Sequence, residues 1–181
     1  MSINKKMTGN YDTLFLSEGN ERQTPDWLFK RLDEEFNFTL DPCASPNNAK
    51  CKKFFTINED GLKQDWSKDV VFVNPPYGNV LKIWVQKVYR EFLKGATVVL
   101  LVPMRTNHKW WHEYCMKATE IRLIDERIKF LNSHGESYKF GAPFPLALVI
   151  FKYGIKVDFP KFSVFHVKPK SPQVESLLTL L

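Results

Sequence analysis

Apolar positions along the chain switch between helical spacing and short continuous runs, and those switches predict alternating helices and strands. Trp27, Leu28, Leu32 and Phe36, with Arg31 between them, recur every three or four residues. Thr24 is placed to cap that helix and Pro25 to occupy its first position, where a missing N–H costs nothing. Phe38-Thr39-Leu40 predicts a short strand stopped by Asp41-Pro42, and residues 41–50 (DPCASPNNAK) a turn-rich loop. Val70 to Val73 is a continuous run, the pattern of a strand buried on both faces, and Asn74-Pro75-Pro76-Tyr77-Gly78 ends it. Leu81, Trp84, Val85, Val88, Tyr89 and Phe92 then predict a helix over 80–94, with Gly95 just past its end.

Thr97 to Val102 is a second fully apolar strand closed by Pro103, so strand, helix and strand form a βαβ unit with a right-handed crossover. A short helix is predicted over 108–117, short strands over 120–124 and 127–130, and an apolar strand from Pro145 to Phe151. Ser171-Pro172 opens a last helix-start pattern before an apolar end, whereas residues 1–22 lack periodicity and predict a flexible N-terminal arm. Residues 23–181 are expected to form one α/β domain. Ligands of open α/β sheets lie outside the carboxyl ends of the strands, which singles out the loops after Leu40, Val73 and Val102.

Composition sharpens this picture. With 181 residues, 44% apolar and 25% charged, the chain has the size of one globular domain and is too apolar for a disordered one. No apolar run approaches the ~20 residues of a bilayer span, and the first residues lack an apolar signal core. Three cysteines, Cys43, Cys51 and Cys115, are too few and too irregular for a disulfide framework, so a cytoplasmic, membrane-free protein is expected. His108, His112 and Cys115 share a helical face but offer no clear fourth ligand, so no metal site is expected. The net charge of +6 is concentrated in residues 101–181, where 12 Lys and Arg stand against 7 Asp and Glu. That excess suits a polyanionic partner, since cations on phosphates release condensed counterions.

The loop after Val73 carries the most specific chemistry. Two prolines make a rigid corner, in which the Asn74 side-chain oxygen and the Pro75 main-chain oxygen can accept both hydrogens of one amino group. Twin acceptors favour the tetrahedral, partly positive nitrogen that forms as an amine attacks an electrophile. Tyr77 offers a flat face against which the ring bearing that amine can stack. The alternative for the same residues is a plain strand-ending turn with Tyr77 packed in the core.

Asn74-Pro75-Pro76-Tyr77 resembles the catalytic motif of amino-group methyltransferases that use S-adenosylmethionine. The chain from about Gln23 to Phe151 resembles the small phage and prophage DNA N6-adenine methyltransferase (Dam) family. The likeness is carried in order by Thr24-Pro25-Asp26-Trp27, Thr39-Leu40-Asp41-Pro42-Cys43-Ala44-Ser45, Asp60-Gly61-Leu62, Asp65-Trp66 and the proline corner. Val102-Pro103-Met104-Arg105-Thr106, Trp110-Trp111-His112, Arg127-Ile128-Lys129-Phe130 and Ala142-Pro143-Phe144-Pro145 complete it.

The resemblance implies a single Rossmann-like class I methyltransferase domain with a mixed, mostly parallel sheet. It implies transfer of a methyl group from S-adenosylmethionine to N6 of adenine in double-stranded DNA after base flipping. Asn74, Pro75, Pro76 and Tyr77 would be catalytic. Asp41, Pro42, Cys43, Ala44 and Ser45 would approach the methionine part of the donor, Asp41 accepting from its ammonium, with Thr24 and Pro25 near its carboxylate. Asp60 would take the ribose, Asp65 and Trp66 the donor's adenine, and Arg105, Thr106, Asn107 and Lys109 the DNA. Each has a local alternative: Thr24 as a helix cap, the aspartates as turn formers, residues 105–109 as a polar loop. The first loop departs from the usual glycine-rich pattern, although Ala44 and Ser45 are small. Cytosine N4, guanine N2 of RNA or a protein glutamine would suit the same acceptor pair, and a non-catalytic DNA-binding descendant would keep the basic face. The resemblance leaves oligomeric state open, with a monomer expected, and a phage-encoded enzyme would work in the bacterial host cytoplasm.

Overall fold

The computed structural model describes residues 22–168; the expected N-terminal arm up to residue 21 and the Ser171-Pro172 helix start lie outside them. Its elements in chain order are α1 (Asp26–Phe36), β1 (Leu40–Asp41), β2 (Lys53–Phe54), β3 (Val70–Val73), α2 (Leu81–Lys94), β4 (Thr97–Pro103), α3 (Lys109–Glu113), a 3-10 turn (Cys115–Lys117), β5 (Glu120–Ile124), β6 (Leu146–Phe151) and β7 (Lys161–Phe165). The seven strands form one sheet in the order β2-β1-β3-β4-β6-β5-β7. Pairing is parallel from β2 through β4 and between β5 and β7, and antiparallel on both sides of β6. The sheet is therefore mixed and mostly parallel, the α/β architecture expected from the sequence.

Period-two alternation sends neighbouring residues of β3 and β4 into two cores. Val71, Val73, Val98, Leu100 and Val102 pack beneath α2 and α3 with Trp84, Val85 and Trp111. Phe72, Val99 and Leu101 pack on the other face against Leu28 and Leu32 of α1, together with Ile128 and Phe130. Burial on both faces explains why these strands are continuous apolar runs.

Three expectations change. Residues 127–130 keep the alternation of a strand, with Ile128 and Phe130 buried and Arg127 and Lys129 exposed, but form no ladder. Instead Ile128 and Phe130 accept main-chain bonds from Ala142 and Tyr138, closing residues 125–145 into an ordered loop. Pro25, not Thr24, is the cap residue of α1, and no side chain caps that helix. The short helix over 108–117 splits into α3 and the 3-10 turn.

Strands β1, β3 and β4 are parallel neighbours, so the loops after Asp41, Val73 and Pro103 emerge side by side on one edge of the sheet. The chain leaves β1 outward to β2 and then returns to β3 on the other side of β1. That reversal makes a topological switch point between the first two of these loops, where the ligand crevice of such sheets lies. Among the described residues, no helix is long and apolar enough to cross a membrane.

Candidate active site

The two loops at the crevice touch. The Cys43 thiol donates to the main-chain oxygen of Asn74 at 3.3 Å, joining the loop after β1 to the proline corner. Residues 42–44 also lie along the next segment, since Ala44 N–H donates to Phe55 O and Phe55 N–H to Asp41 O. Ser45 N–H is held by the Asn48 side chain at 2.7 Å, closing a tight turn without glycine.

The Asn74 side chain is fixed by three hydrogen bonds. Its Nδ2 donates to the main-chain oxygen of Arg22 at 2.7 Å and to Thr24 Oγ1 at 3.0 Å. Its Oδ1 accepts from the Tyr77 hydroxyl at 3.0 Å. An amide oxygen has two lone-pair directions, and among the described residues only Tyr77 donates to Oδ1, which leaves the second direction for another donor. Pro75 is buried and Pro76 half-buried, consistent with a stiff corner. Tyr77 is half-buried, its ring meeting Phe130 and Phe144 edge to face at 6.1 and 5.7 Å between centroids. Burial pushes the Tyr77 phenol far above its ordinary value, so its hydroxyl remains a donor toward Asn74. The corner thus holds a packed tyrosine and an oriented amide.

Asp41 is only 6% exposed. Its carboxylate accepts from Cys43 N–H at 3.4 Å and Lys50 N–H at 3.2 Å. Burial raises its pKa to about 6, more than those two long bonds and the Lys50 charge lower it. A buried carboxylate held this loosely fits a ligand that brings a cation. Lys50 itself reaches away to Asp26.

Asp60 lies on the same rim, since the chain folds Gly61 tightly against Pro42; a Cβ on Gly61 would sit 1.9 Å from Pro42 O. Asp60 adopts φ 53°, accepts from Leu62 N–H at 3.2 Å and pairs with Lys63 at 2.8 Å. Asp65 and Trp66 do not join it. Trp66 is fully buried, stacked on Trp84 at 6.2 Å, with its indole N–H on Gly61 O at 3.0 Å, so no edge of its ring is left for a ligand. Asp65 sits at the amino edge of the sheet beside Lys94, the last residue of α2, at 3.7 Å. A spacing of five residues in sequence carried Asp65 away from the rim because the chain descends between Asp60 and β3.

The cap alternative for Thr24 is not realised, since its hydroxyl holds Asn74 rather than capping α1. Pro25 instead presents its main-chain oxygen to the N–H groups of Leu28 and Phe29. Arg105, Thr106, Asn107 and Lys109 follow β4 on the site's edge of the sheet; Arg105 is half-buried and the other three exposed. Lys109 pairs with Glu113 at 3.2 Å, and His112 meets Thr106 O at 2.7 Å. Cys115 is buried, and no cluster that could hold a metal occurs among the described residues.

Sequence reasoning missed the residues that support the corner from outside it. Arg22 contributes a main-chain oxygen, and its guanidinium lies 5.2 Å from the Phe144 ring. Phe130 and Phe144 belong to segments whose likeness was visible but whose contact with Tyr77 required the loop over 125–145 to close.

Sheet order and proline corner together define an α/β domain of the methyltransferase fold. The chain belongs to the DNA N-6-adenine-methyltransferase (Dam) family, whose model matches residues 13–171. It is 35% identical over 113 residues to the DNA N-6-adenine-methyltransferase of Haemophilus phage HP1, covering 61% of this chain and 65% of that protein. It is 32% identical over 104 residues to the DNA N-6-adenine-methyltransferase of Escherichia phage T1, covering 56% of this chain and 43% of that one. The matched region therefore spans less than two thirds of either phage protein.

Proposed function

We propose that this protein transfers a methyl group from S-adenosylmethionine to N6 of adenine in double-stranded DNA. The observation that carries the reading is the Asn74 amide, locked with its oxygen toward Tyr77 and one acceptor position open, at the crevice beside the buried Asp41 carboxylate. The phage relatives' names point the same way.

S-adenosylmethionine supplies an electrophilic methyl on a sulfonium. Asp41 would hold the donor's ammonium; Pro42, Cys43, Ala44 and Ser45 would line the loop beside it, and Asp60 on the same rim would take the ribose. Pro25, next to Thr24, would border that pocket from the start of α1. Asn74 Oδ1 and the Pro75 oxygen would accept the adenine amino hydrogens and stabilise positive charge growing on that nitrogen. No base of high pKa is needed, because the proton leaves a nitrogen that is already acidic once alkylated. The half-buried Tyr77 ring would support an adenine swung out of the duplex, a step that exposes the amino group to the donor. Arg105, Thr106, Asn107 and Lys109, beside the corner, would contact the DNA backbone or the extruded nucleotide. Residues 23–181 would act as one catalytic domain in the host cytoplasm, as a monomer.

Incubation with labelled S-adenosylmethionine and unmethylated duplex DNA tests this directly. Label in N6-methyladenine, lost in Asn74→Ala with the thermal transition preserved, supports the proposal. Label in cytosine, RNA or protein assigns another amino substrate, and tight DNA binding without transfer assigns an inactive descendant.

A further inference from the structure

We infer that Thr24 is a positioning residue for Asn74, an inference that rests on the function proposed above. A primary amide has two nearly isosteric orientations that exchange its oxygen and nitrogen, and only one of them offers an acceptor to an incoming amine. The Arg22 main-chain oxygen, 2.7 Å from Asn74 Nδ2, decides between them, because a carbonyl can only accept and would face the amide oxygen after a flip. Thr24 Oγ1, 3.0 Å from the same nitrogen, takes the second hydrogen and so fixes the plane of the amide as well as its direction. Tyr77 closes the arrangement from the oxygen side.

Thr24 is suited to this task rather than to capping. It is 3% exposed, it makes no cap to α1, and its hydroxyl points to the proline corner fifty positions further along the chain. The short segment carrying Arg22 and Thr24 is itself held in place: Gln23 and Leu131 exchange main-chain bonds of 3.0 and 2.9 Å. The amide is therefore oriented by a strap pinned to the loop over 125–145, the same loop that supplies Phe130 and Phe144 to Tyr77. Without the hydroxyl, one amide hydrogen faces a largely closed space with no acceptor, and Asn74 gains by rotating away from the geometry that presents Oδ1.

Thr24→Val keeps the shape and removes the acceptor; Thr24→Ser keeps the acceptor. With labelled donor and duplex DNA, Thr24→Val is expected to lower kcat at least tenfold while the S-adenosylmethionine Kd by calorimetry stays within about twofold, and Thr24→Ser to recover most of kcat. A Thr24→Val protein with weakened donor binding and retained kcat would make Thr24 a donor contact and overturn the inference, as would unchanged values of both. A second readout is independent of turnover. The Asn74 side-chain NH2 resonances, assigned by their loss in Asn74→Asp, should exchange slowly in the wild type and in Thr24→Ser and rapidly in Thr24→Val. A wild type that methylates no adenine would remove the proposed function, while the amide exchange would still decide whether Thr24 holds Asn74; equal exchange in all three proteins overturns the inference.

Discussion

Cys43 Sγ lies 3.3 Å from the main-chain oxygen of Asn74 and donates to it. The bond ties the loop beside Asp41 to the residue that opens the proline corner, and it requires a protonated thiol. Burial, with the Asp41 charge, pushes the Cys43 thiol far up, and burial raises Cys51 to about 12 and Cys115 further. Native protein at pH 8 should therefore alkylate with iodoacetamide more than about a hundredfold more slowly than protein in urea, because the thiolate is the nucleophile. Cys43→Ala should lose about 1 kcal/mol of stability and Cys43→Ser much less. Rapid native alkylation of Cys43, read by peptide mapping, would contradict the contact.

Asp41 gives the ligand-free protein a pH signature. Its folded pKa of about 6 exceeds the ordinary carboxylate value, so the stability it permits is full below pH 4 and falls as pH rises through 6. The integrated loss is about 3 kcal/mol. Comparing unfolding of wild type and Asp41→Asn isolates this titration: the difference between them should shift by about that amount in favour of Asn from pH 4 to pH 8. Because a bound ammonium stabilises the carboxylate, donor affinity of the wild type should rise from pH 5 to 7. A flat difference across this range would show that Asp41 is not titrating.

Gly61 faces Pro42 with no room for a methyl group, the Cβ position lying 1.9 Å from Pro42 O. Gly61→Ala must displace the loop after β1 or the segment carrying Asp60 and the oxygen that receives the Trp66 indole. A loss of about 1–3 kcal/mol is expected, from overpacking against backbone. Calorimetry should show weaker S-adenosylmethionine binding in the same variant. Unchanged melting and binding would mean that the two loops are free to separate.

Glu91, the single carboxylate of α2, is 1% exposed and accepts from Trp66 N–H, Lys87 and Lys94, each at 2.8 Å. Burial opposes its ionisation, but these bonds outweigh it and hold the carboxyl below its ordinary pKa. Glu91→Ala leaves the Trp66 N–H and a half-buried ammonium without their partner and should cost about 3 kcal/mol. Chemical denaturation measures it. Since Glu91 stands far along α2 from the corner, methyl transfer by the folded fraction should persist.

Much of this architecture is legible locally. The boundaries of β3 and α2 follow from an apolar run, helical spacing and Gly95, because two-sided burial and an amphipathic face leave direct marks on the sequence. β2 and β7 leave weaker marks. β2 has two residues, and β7 is an edge strand with Phe162 and Val164 exposed, so neither carries the pattern of a buried strand. The insertion of β6 antiparallel between β4 and β5 also has no local signal, since strand order depends on which edges meet.

By itself the sequence determined the elements around the corner and the stiffness of Asn74-Pro75-Pro76. Periodicity and proline act over a few residues, so these properties need no knowledge of the remainder of the chain. Only the tertiary structure decided which groups share the crevice. Parallel pairing of β1 with β3 set Asp41 and Cys43 beside Asn74, the descent before β3 took Asp65 and Trp66 elsewhere, and the strap before α1 turned Thr24 from a helix cap into a partner of Asn74. Such partners lie tens of residues apart, and a hydroxyl with two possible acceptors or donors nearby is committed by packing, not by its neighbours in sequence.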